Sequence, residues 1–429
     1  MSAGFARTFA SLSVPNYRRY FSGQVVSITG NWMQMVAEMW LMVQLTGNGL
    51  SVGLTAAFQF LPIMLFGAWG GLLADRMSKR RLLTITQTLM ALPALALWGL
   101  TTSGHVEVWM VYALVLVRGA VTAVDNPARQ SFVIEMVGDD RLVNAVALNS
   151  VVVHTARILG PAGAGLVIAL LGVGPCFLIN ALSFAAMFVA LRRMDPAQLH
   201  TPDVAVRARG QLRSAFRYVA STPGLRIPLA MMAVVGTLSF NFQVLLPLLA
   251  SFTWHGTAAL YTALAVAMGI GSVAGALAAG ARGRVGPRLL VGAAAGFGAT
   301  LLLVAAAPTI PLQLLALVPL GAVSVTFAAG VNSVMQLAVE PGMRGRVMAL
   351  YSVVFLGSTP IGAPLVGWIA QVAGPRAGLV LGGVAALVTA AGAQVAYNRV
   401  RPEPETKRPC ESSSRTRTGR LRPRLETRP

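Results

Sequence analysis

Twelve apolar runs, each close to the length of a membrane-crossing helix, constrain this chain more than any other feature. A bilayer core about 30 Å thick takes about 20 helical residues. On that ruler the runs fall at about 20–45, 50–74, 82–102, 106–127, 143–171, 174–193, 225–252, 257–280, 288–307, 310–332, 346–372 and 375–397. Gly, Pro and Asn mark most breaks, as in Thr46-Gly47-Asn48-Gly49 and Gly172-Val173-Gly174-Pro175, two tight turns without charge. Composition agrees. The chain is 55% hydrophobic and 11% charged, where a soluble protein carries about 25% charged residues, and its mean hydropathy is +0.67. So much apolar surface needs lipid as its solvent, and an all-α membrane protein is expected.

The formal charge of +20 invites a nucleic-acid reading, and the distribution excludes it. Of 34 Lys and Arg, 10 follow Asn398 and two, Arg118 and Arg157, lie inside apolar runs. The rest sit in short gaps and make no contiguous basic face. Those gaps orient the chain. Before the tail, 21 cations lie at the N-terminus and in even-numbered loops, and only Arg376 lies in an odd-numbered one. That asymmetry predicts both termini in the cytoplasm of a multi-pass protein of the plasma or inner membrane, and hence an even number of spans. Trp98, Trp109 and Trp254 fall near the predicted outer ends, where interfacial aromatics belong. Arg7, Arg18 and Arg19 precede no short apolar core with a cleavage site, so no removable signal peptide is expected. Cys176 and Cys410 fall on opposite sides of the membrane, so no disulfide is expected between them. The four His are scattered, and neither a metal nor another cofactor is expected.

The longest gap, Asp195 to Gly224, is polar and holds Arg207, Arg209, Arg213 and Arg217. It reads as a cytoplasmic linker (194–224) between an N-terminal six-helix half (1–193) and a C-terminal one (225–397). Arg213, Phe216 and Arg217 suit a short amphipathic surface helix, and a solvated linker suits them equally. Residues 398–429, with 10 cations and four Glu, cannot bury a core and read as a disordered cytoplasmic tail. An internal repeat supports the halves. Ala147-Leu148-Asn149-Ser150-Val151-Val152 aligns with Ala349-Leu350-Tyr351-Ser352-Val353-Val354 at an offset of 202, which also pairs Gly160 with Gly362, Gly165 with Gly367 and Gly119 with Gly321.

The segment Gly67–Arg81, GAWGGLLADRMSKRR, is where an apolar run meets cytoplasm. It resembles the loop signature of the major facilitator superfamily, roughly G-x-x-x-D-R-x-G-R-[RK]. Gly71, Asp75, Arg76, Lys79 and Arg80 match, and Ser78 stands where that family has Gly. With Asn16-Tyr17-Arg18-Arg19-Tyr20, Asn31-Trp32-Met33-Gln34 and Asp125-Asn126-Pro127-Ala128-Arg129-Gln130, the chain resembles the enterobactin-exporter-like and macrolide-efflux-like branch over about residues 12–397. The resemblance implies two parallel halves with nested inverted repeats and alternating access. It implies that Asp75 latches one conformation by bridging to the start of helix eleven, near Arg344-Gly345-Arg346. A carboxylate at a helix C-terminus is otherwise unfavourable and needs cations such as Arg76, Lys79 and Arg80. The plainer alternative is a stop-transfer end.

Charges inside the runs are few and costly. Glu38 is expected to be a protonatable or substrate-contacting group, with Arg118 and Arg157 as its electrostatic setting; a structural ion network is the alternative. Asp125 lies seven residues from Arg118, about 10 Å along one face, too far for direct pairing. It is a second candidate for substrate or proton, although its corner, where Pro127 is expected to end the helix, reads as structural or gating. Gly160, Pro161 and Gly165 form a kink cluster that resembles the Gly-Pro motif of exporters and antiporters, and tight packing explains it as well. Gly67-x-x-x-Gly71 and Gly271-x-x-x-Gly275 read as packing sites, His154 as a packed neutral side chain, and Met231, Met232, Phe240, Phe242 and Gln243 as possible cavity lining.

The chain has no G-x-x-x-x-G-K-[ST] loop, so it is not expected to hydrolyse ATP or to be an enzyme. The expected function is secondary active export of a small amphipathic molecule, a drug or siderophore, by a monomer that exchanges it for protons. An importer of the same fold and a non-transporting sensor or partner subunit are the alternatives.

Overall fold

The computed structural model describes residues 9–200, 211–282, 286–340 and 343–399. Arg207, Arg209 and the basic tail with Cys410 lie outside them. The first half is α1 (Pro15–Thr46), α2 (Gly49–Arg76), α3 (Lys79–Ser103), α4 (Val108–Val137), α5 (Asp139–Leu171) and α6 (Gly174–Arg192). A short helix, α7 (Gln211–Ser221), leads to the second half. That half is α8 (Pro223–Leu238), α9 (Phe242–Leu248), α10 (Ala258–Arg282), α11 (Pro287–Ala306), α12 (Ile310–Ala338), α13 (Arg344–Gly357), α14 (Thr359–Ala373) and α15 (Pro375–Arg399). Helices satisfy every backbone polar group within the segment, as a bilayer core demands. The turns end them as the sequence predicts. Gly47 takes a left-handed φ of 52° after α1, and the Asn48 side chain accepts from the N–H groups of Leu50 and Ser51 to cap α2.

Among the described residues, 11 helical runs are long and apolar enough to cross a membrane. The twelfth expected run, α1, has 32 residues but is not one of them. Its Gln24, Gln34 and Glu38 lower its hydropathy, and all three are buried against protein rather than facing lipid. Two expected runs are interrupted. The run at 225–252 breaks between α8 and α9 and ends in a π-helical turn, Leu249–Thr253. The run at 346–372 breaks at Ser358, where Pro360 cannot supply a backbone donor. The breaks are neighbours: a β-carbon on Gly236 of α8 would meet the Ser358 hydroxyl at 2.9 Å.

The fourth run is longer than expected. Pro127 does not end it, and α4 continues to Val137. Proline at 127 leaves the carbonyl of Ala123 without its helical donor. That carbonyl points at the backbone of Gly70 on α2, where a β-carbon would overlap it, so a close Cα–H···O approach takes the place of the lost bond. Gly70 thus does the packing assigned to Gly67, which faces only Ile63 of its own helix. Gly271 and Gly275 do pack as expected, against Val318 and Ala322 of α12.

The repeat maps contacts onto contacts. Gly160 of α5 abuts Trp32 and Thr29 of α1, and its counterpart Gly362 of α14 abuts Thr237 of α8. Gly119 of α4 meets the Gln59 carbonyl of α2, and Gly321 of α12 meets the Met268 carbonyl of α10. Gly165 meets Thr262 of α10, and Gly367 meets Gly49 of α2. The last pair joins the halves, at the end of the bundle away from the chain termini. Gln371 Oε1 there accepts from the Gly49 N–H at 2.7 Å. Valine at Gly367 is expected to force α2 and α14 apart. Overpacking costs about 1–3 kcal/mol, a shift of roughly tenfold or more away from this closed arrangement. Spin labels placed across that end would lengthen their distance distribution, and an unchanged distribution would mean the glycine contact carries no weight.

The linker does form a surface helix. In α7, Ala215 and Val219 are buried and Phe216 is 65% exposed. At the same end, Asn16 exchanges two hydrogen bonds with the backbone of Asp195, at 2.8 and 3.0 Å, and Tyr17 donates to the Ala145 carbonyl at 2.9 Å. The Asn-Tyr-Arg-Arg-Tyr stretch is therefore a packing knot between the chain start and the linker.

Candidate functional site

Glu38 is fully buried on α1, and Arg118 of α4 reaches it, donating from a terminal guanidinium nitrogen to Oε2 at 2.5 Å. Gln34 lies one turn earlier on the same helix face and donates to the other oxygen, Oε1, at 2.7 Å. Asn180 of α6 donates to Gln34 Oε1 at 2.5 Å, and Ser183 donates to Asn180 Oδ1 at 2.8 Å. A polar chain thus runs Arg118–Glu38–Gln34–Asn180–Ser183 and ties α4, α1 and α6 together through otherwise apolar packing. One acceptor and one cation cancel in charge, as a low-dielectric interior demands. Arg118 Nε is buried with no hydrogen-bond partner. A proton on Glu38, or an anion competing for Arg118, would change the charge of the network by one unit.

Sequence reasoning singled out Glu38 and Arg118, named Gln34 only within the Asn31–Gln34 resemblance, and missed Asn180 and Ser183. Their signal was available: amides within apolar runs, one of them four residues before a buried carboxylate. Arg157 does not join this network. Its guanidinium lies over the Trp32 ring, 5.1 Å from the centroid, because Trp32 stands between α1 and α5 where Gly160 lets them approach. Asp125 is occupied on both oxygens. Oδ1 accepts from Thr86 at 2.6 Å and Gln87 at 2.9 Å on α3, and Oδ2 accepts from Arg129 one turn on. This ties a corner of α3 and α4, as the structural reading of that corner predicts.

The signature residues Asp75, Arg76, Lys79 and Arg80 line a cleft of about 870 Å³ with Glu135 and Arg192. Lys79 pairs with Glu135 at 2.9 Å, which the extension of α4 past Pro127 brings into reach. Arg80 donates to the carbonyls of Leu191 and Arg192 at 2.7 and 2.9 Å. Lys79 thus reaches the end of α4, and Arg80 places its charge at the negative C-terminus of α6. Alanine at Arg80 is expected to cost about 1–3 kcal/mol, the loss of two charge-assisted hydrogen bonds. Thermal unfolding in detergent would measure it, and a stability equal to the parent would mean water replaces the guanidinium without loss.

Of the proposed cavity residues, Met231, Met232 and Phe242 are buried in packing, while Phe240 and Gln243 are half-buried. Phe240 sits at the α8–α9 break, with ring centroids 4.9 Å from Phe297 and 5.9 Å from Phe355. Trp254 donates to Gln313 Oε1 at 2.6 Å and carries Arg376 over its ring, so it is held by protein as well as placed near a helix end.

Comparison with known proteins agrees with this architecture. A model of the family described as Transmembrane secretion effector matches residues 6–425. The Staphyloferrin A transporter of Staphylococcus aureus is 26% identical over 260 residues, 59% of this chain and 64% of that protein, so the match spans under two thirds of that relative. The Multidrug efflux pump Tap of Mycolicibacterium fortuitum is 28% identical over 360 residues, 81% of this chain and 87% of that protein. The Enterobactin exporter EntS of Citrobacter koseri is 26% identical over 375 residues, covering 85% and 87%. Among solved structures, nucleoside transporter NupG superposes with a TM-score of 0.70 at 13% identity, over 89% of this chain and 99% of that one. A bacterial homologue of iron transporter ferroportin in the inward-facing state gives 0.68 at 13%, over 89% and 98%. These likenesses establish the fold, that of the major facilitator transporters.

Proposed function

Because the chain belongs to the Transmembrane secretion effector family of the major facilitator superfamily, we propose that it exports a small amphipathic molecule, a drug or siderophore, by alternating access and in exchange for protons. The buried Glu38–Arg118 pair carries the proposal. An ion pair sealed among three helices contributes little to stability for what it costs in desolvation, whereas a carboxylate that can exchange its cation for a proton gives the two charge states that coupling needs. The relatives named as exporters and efflux pumps support the direction of transport. The cation asymmetry of the loops supports cytoplasmic termini, so that the inter-half contacts at Gly49 and Gly367 close the outer side while the signature cleft faces cytoplasm. The unit is a monomer, with the segment 194–224 joining halves at 1–193 and 225–397.

Purified protein in liposomes loaded with a pH-sensitive dye tests this. With a panel of antibiotics, dyes and siderophores presented on one side at a time, proton movement is expected only with a transported compound and only while its gradient persists. Compound flux without proton flux would remove the antiport mechanism, and proton leak independent of every compound would remove coupling.

A further inference from the structure

Among the described residues, three carboxylates of the first half each pair with a cation: Glu38 with Arg118, Asp125 with Arg129 and Glu135 with Lys79. Arg157 is different. No ion pair or hydrogen bond to its guanidinium is present among the described residues, its Nε is buried without a partner, and its guanidinium carbon lies 5.1 Å from the centroid of the Trp32 ring. The second half offers no counter-charge, since Glu340 is the only acidic residue between 225 and 399 and it lies beyond the end of α12. Among the described residues, Arg157 is therefore a positive charge in the helical interior with no carboxylate paired to it.

Its position on α5 shows what can reach it. Val143, Ala147, Ser150, His154 and Arg157 follow one another at steps of four and three, on one helix face. The first three are exposed, His154 and Arg157 are half-buried, and Pro161 and Ala164, next on the same face, are fully buried. The opposite face, with Leu159 and Leu166 at 52% and 63% exposure, is the lipid-facing one. The inward stripe is thus exposed toward the chain termini and buried from Pro161 on, and α5 packs against the other half on either side of that point, Ile158 against Gly269 and Gly165 against Thr262. Arg157 thus stands half-buried on the inward stripe of α5, just before the contacts that α5 makes with α10 of the other half.

We propose that Arg157, backed by Trp32, is the recognition point for an anionic group on the transported molecule, so that the substrate is an organic anion with a planar or apolar body rather than a cation. The guanidinium presents a rigid fork of N–H donors that matches a carboxylate, catecholate or sulfonate. The Trp32 ring, 5.1 Å from the guanidinium carbon, backs the charge with its negative face and takes none of its N–H donors as a hydrogen-bond partner. An anion there completes the charge balance of the interior, and a cation adds to an uncompensated charge in low dielectric. The assignment rests on the transporter reading, whose failure the test separates from its own.

The test uses one ring with three charges: pyrenesulfonate, pyrenemethanol and pyrenemethylammonium, with binding to the full-length protein in nanodiscs read by energy transfer from tryptophan. The sulfonate is expected to bind about tenfold or more tighter than the alcohol, the ammonium more weakly still, and the sulfonate preference is expected to fall with added salt. Arg157→Gln should erase the difference between sulfonate and alcohol, and Arg157→Lys should keep part of it. The wild-type comparison stands even where a variant fails to fold. Equal affinities, a preference for the ammonium, no binding of any probe, or a sulfonate preference that survives Arg157→Gln would each overturn the assignment. Sulfonate that binds with this preference but does not cross the liposome membrane would sink the transporter reading and leave the anion site standing.

Discussion

Replacing Arg118 with leucine is expected to destabilise the protein by about 3–5 kcal/mol, the loss that follows from stranding one partner of a buried ion pair. The change removes the cation and leaves Glu38, which is fully buried, with only the Gln34 amide. The double variant Glu38→Gln, Arg118→Leu should recover most of the loss, because it removes both charges and keeps a hydrogen-bonding side chain beside Gln34. Thermal unfolding of the four proteins in one detergent completes the cycle, with a coupling energy expected above about 1 kcal/mol for groups in direct contact. The single Arg118 variant should also regain stability in acid, by up to about 1.4 kcal/mol per pH unit, as protonation removes the stranded charge. Additive losses, or a loss that does not change with pH, would mean that Glu38 and Arg118 are not energetically coupled.

Glu38→Gln alone is expected to abolish substrate-driven proton movement while leaving downhill substrate movement measurable. Glutamine holds the shape and hydrogen-bonding of the protonated acid and cannot release a proton. Its carbonyl oxygen still accepts from Arg118, so the fold should survive better than with leucine at 118. Both fluxes are read in the same liposomes, one from the dye and one from the compound. Proton coupling that persists at its original stoichiometry would place the proton site elsewhere, and loss of both fluxes with an intact fold would make Glu38 a substrate contact instead.

Much of this arrangement was legible in the chain. The spacing of apolar runs predicted the helices because a bilayer imposes one length on all of them. The turns were legible because Gly47 and Asn48 have conformational and capping properties that act locally. The repeat foretold matching contacts, since Gly160 and Gly362, or Gly165 and Gly367, occupy equivalent places in two copies of one design. Glu38 and Arg118 stood out because charge inside an apolar run is costly and must be met.

Other features depended on partners far away in sequence. Pro127 reads locally as a helix end, and α4 passes through it because Gly70 of another helix receives the freed Ala123 carbonyl. Arg157 reads as part of the setting of Glu38, yet a ring of Trp32 takes its guanidinium. Asp125 is tied to α3 by Thr86 and Gln87, partners that no reading of its own segment could name. The breaks at Ser239–Asn241 and Ser358 are invisible to hydropathy, because an interrupted helix stays apolar and its loose backbone groups find side-chain partners, as the Thr237 carbonyl at the end of α8 accepts from the Asn241 amide. The sequence by itself determined where the helices run and which charges lie inside them, since both follow from the free energy of moving each residue into lipid. Only the tertiary structure decided which charge meets which, because a side chain's partner is set by the packing of helices separated by tens to hundreds of residues.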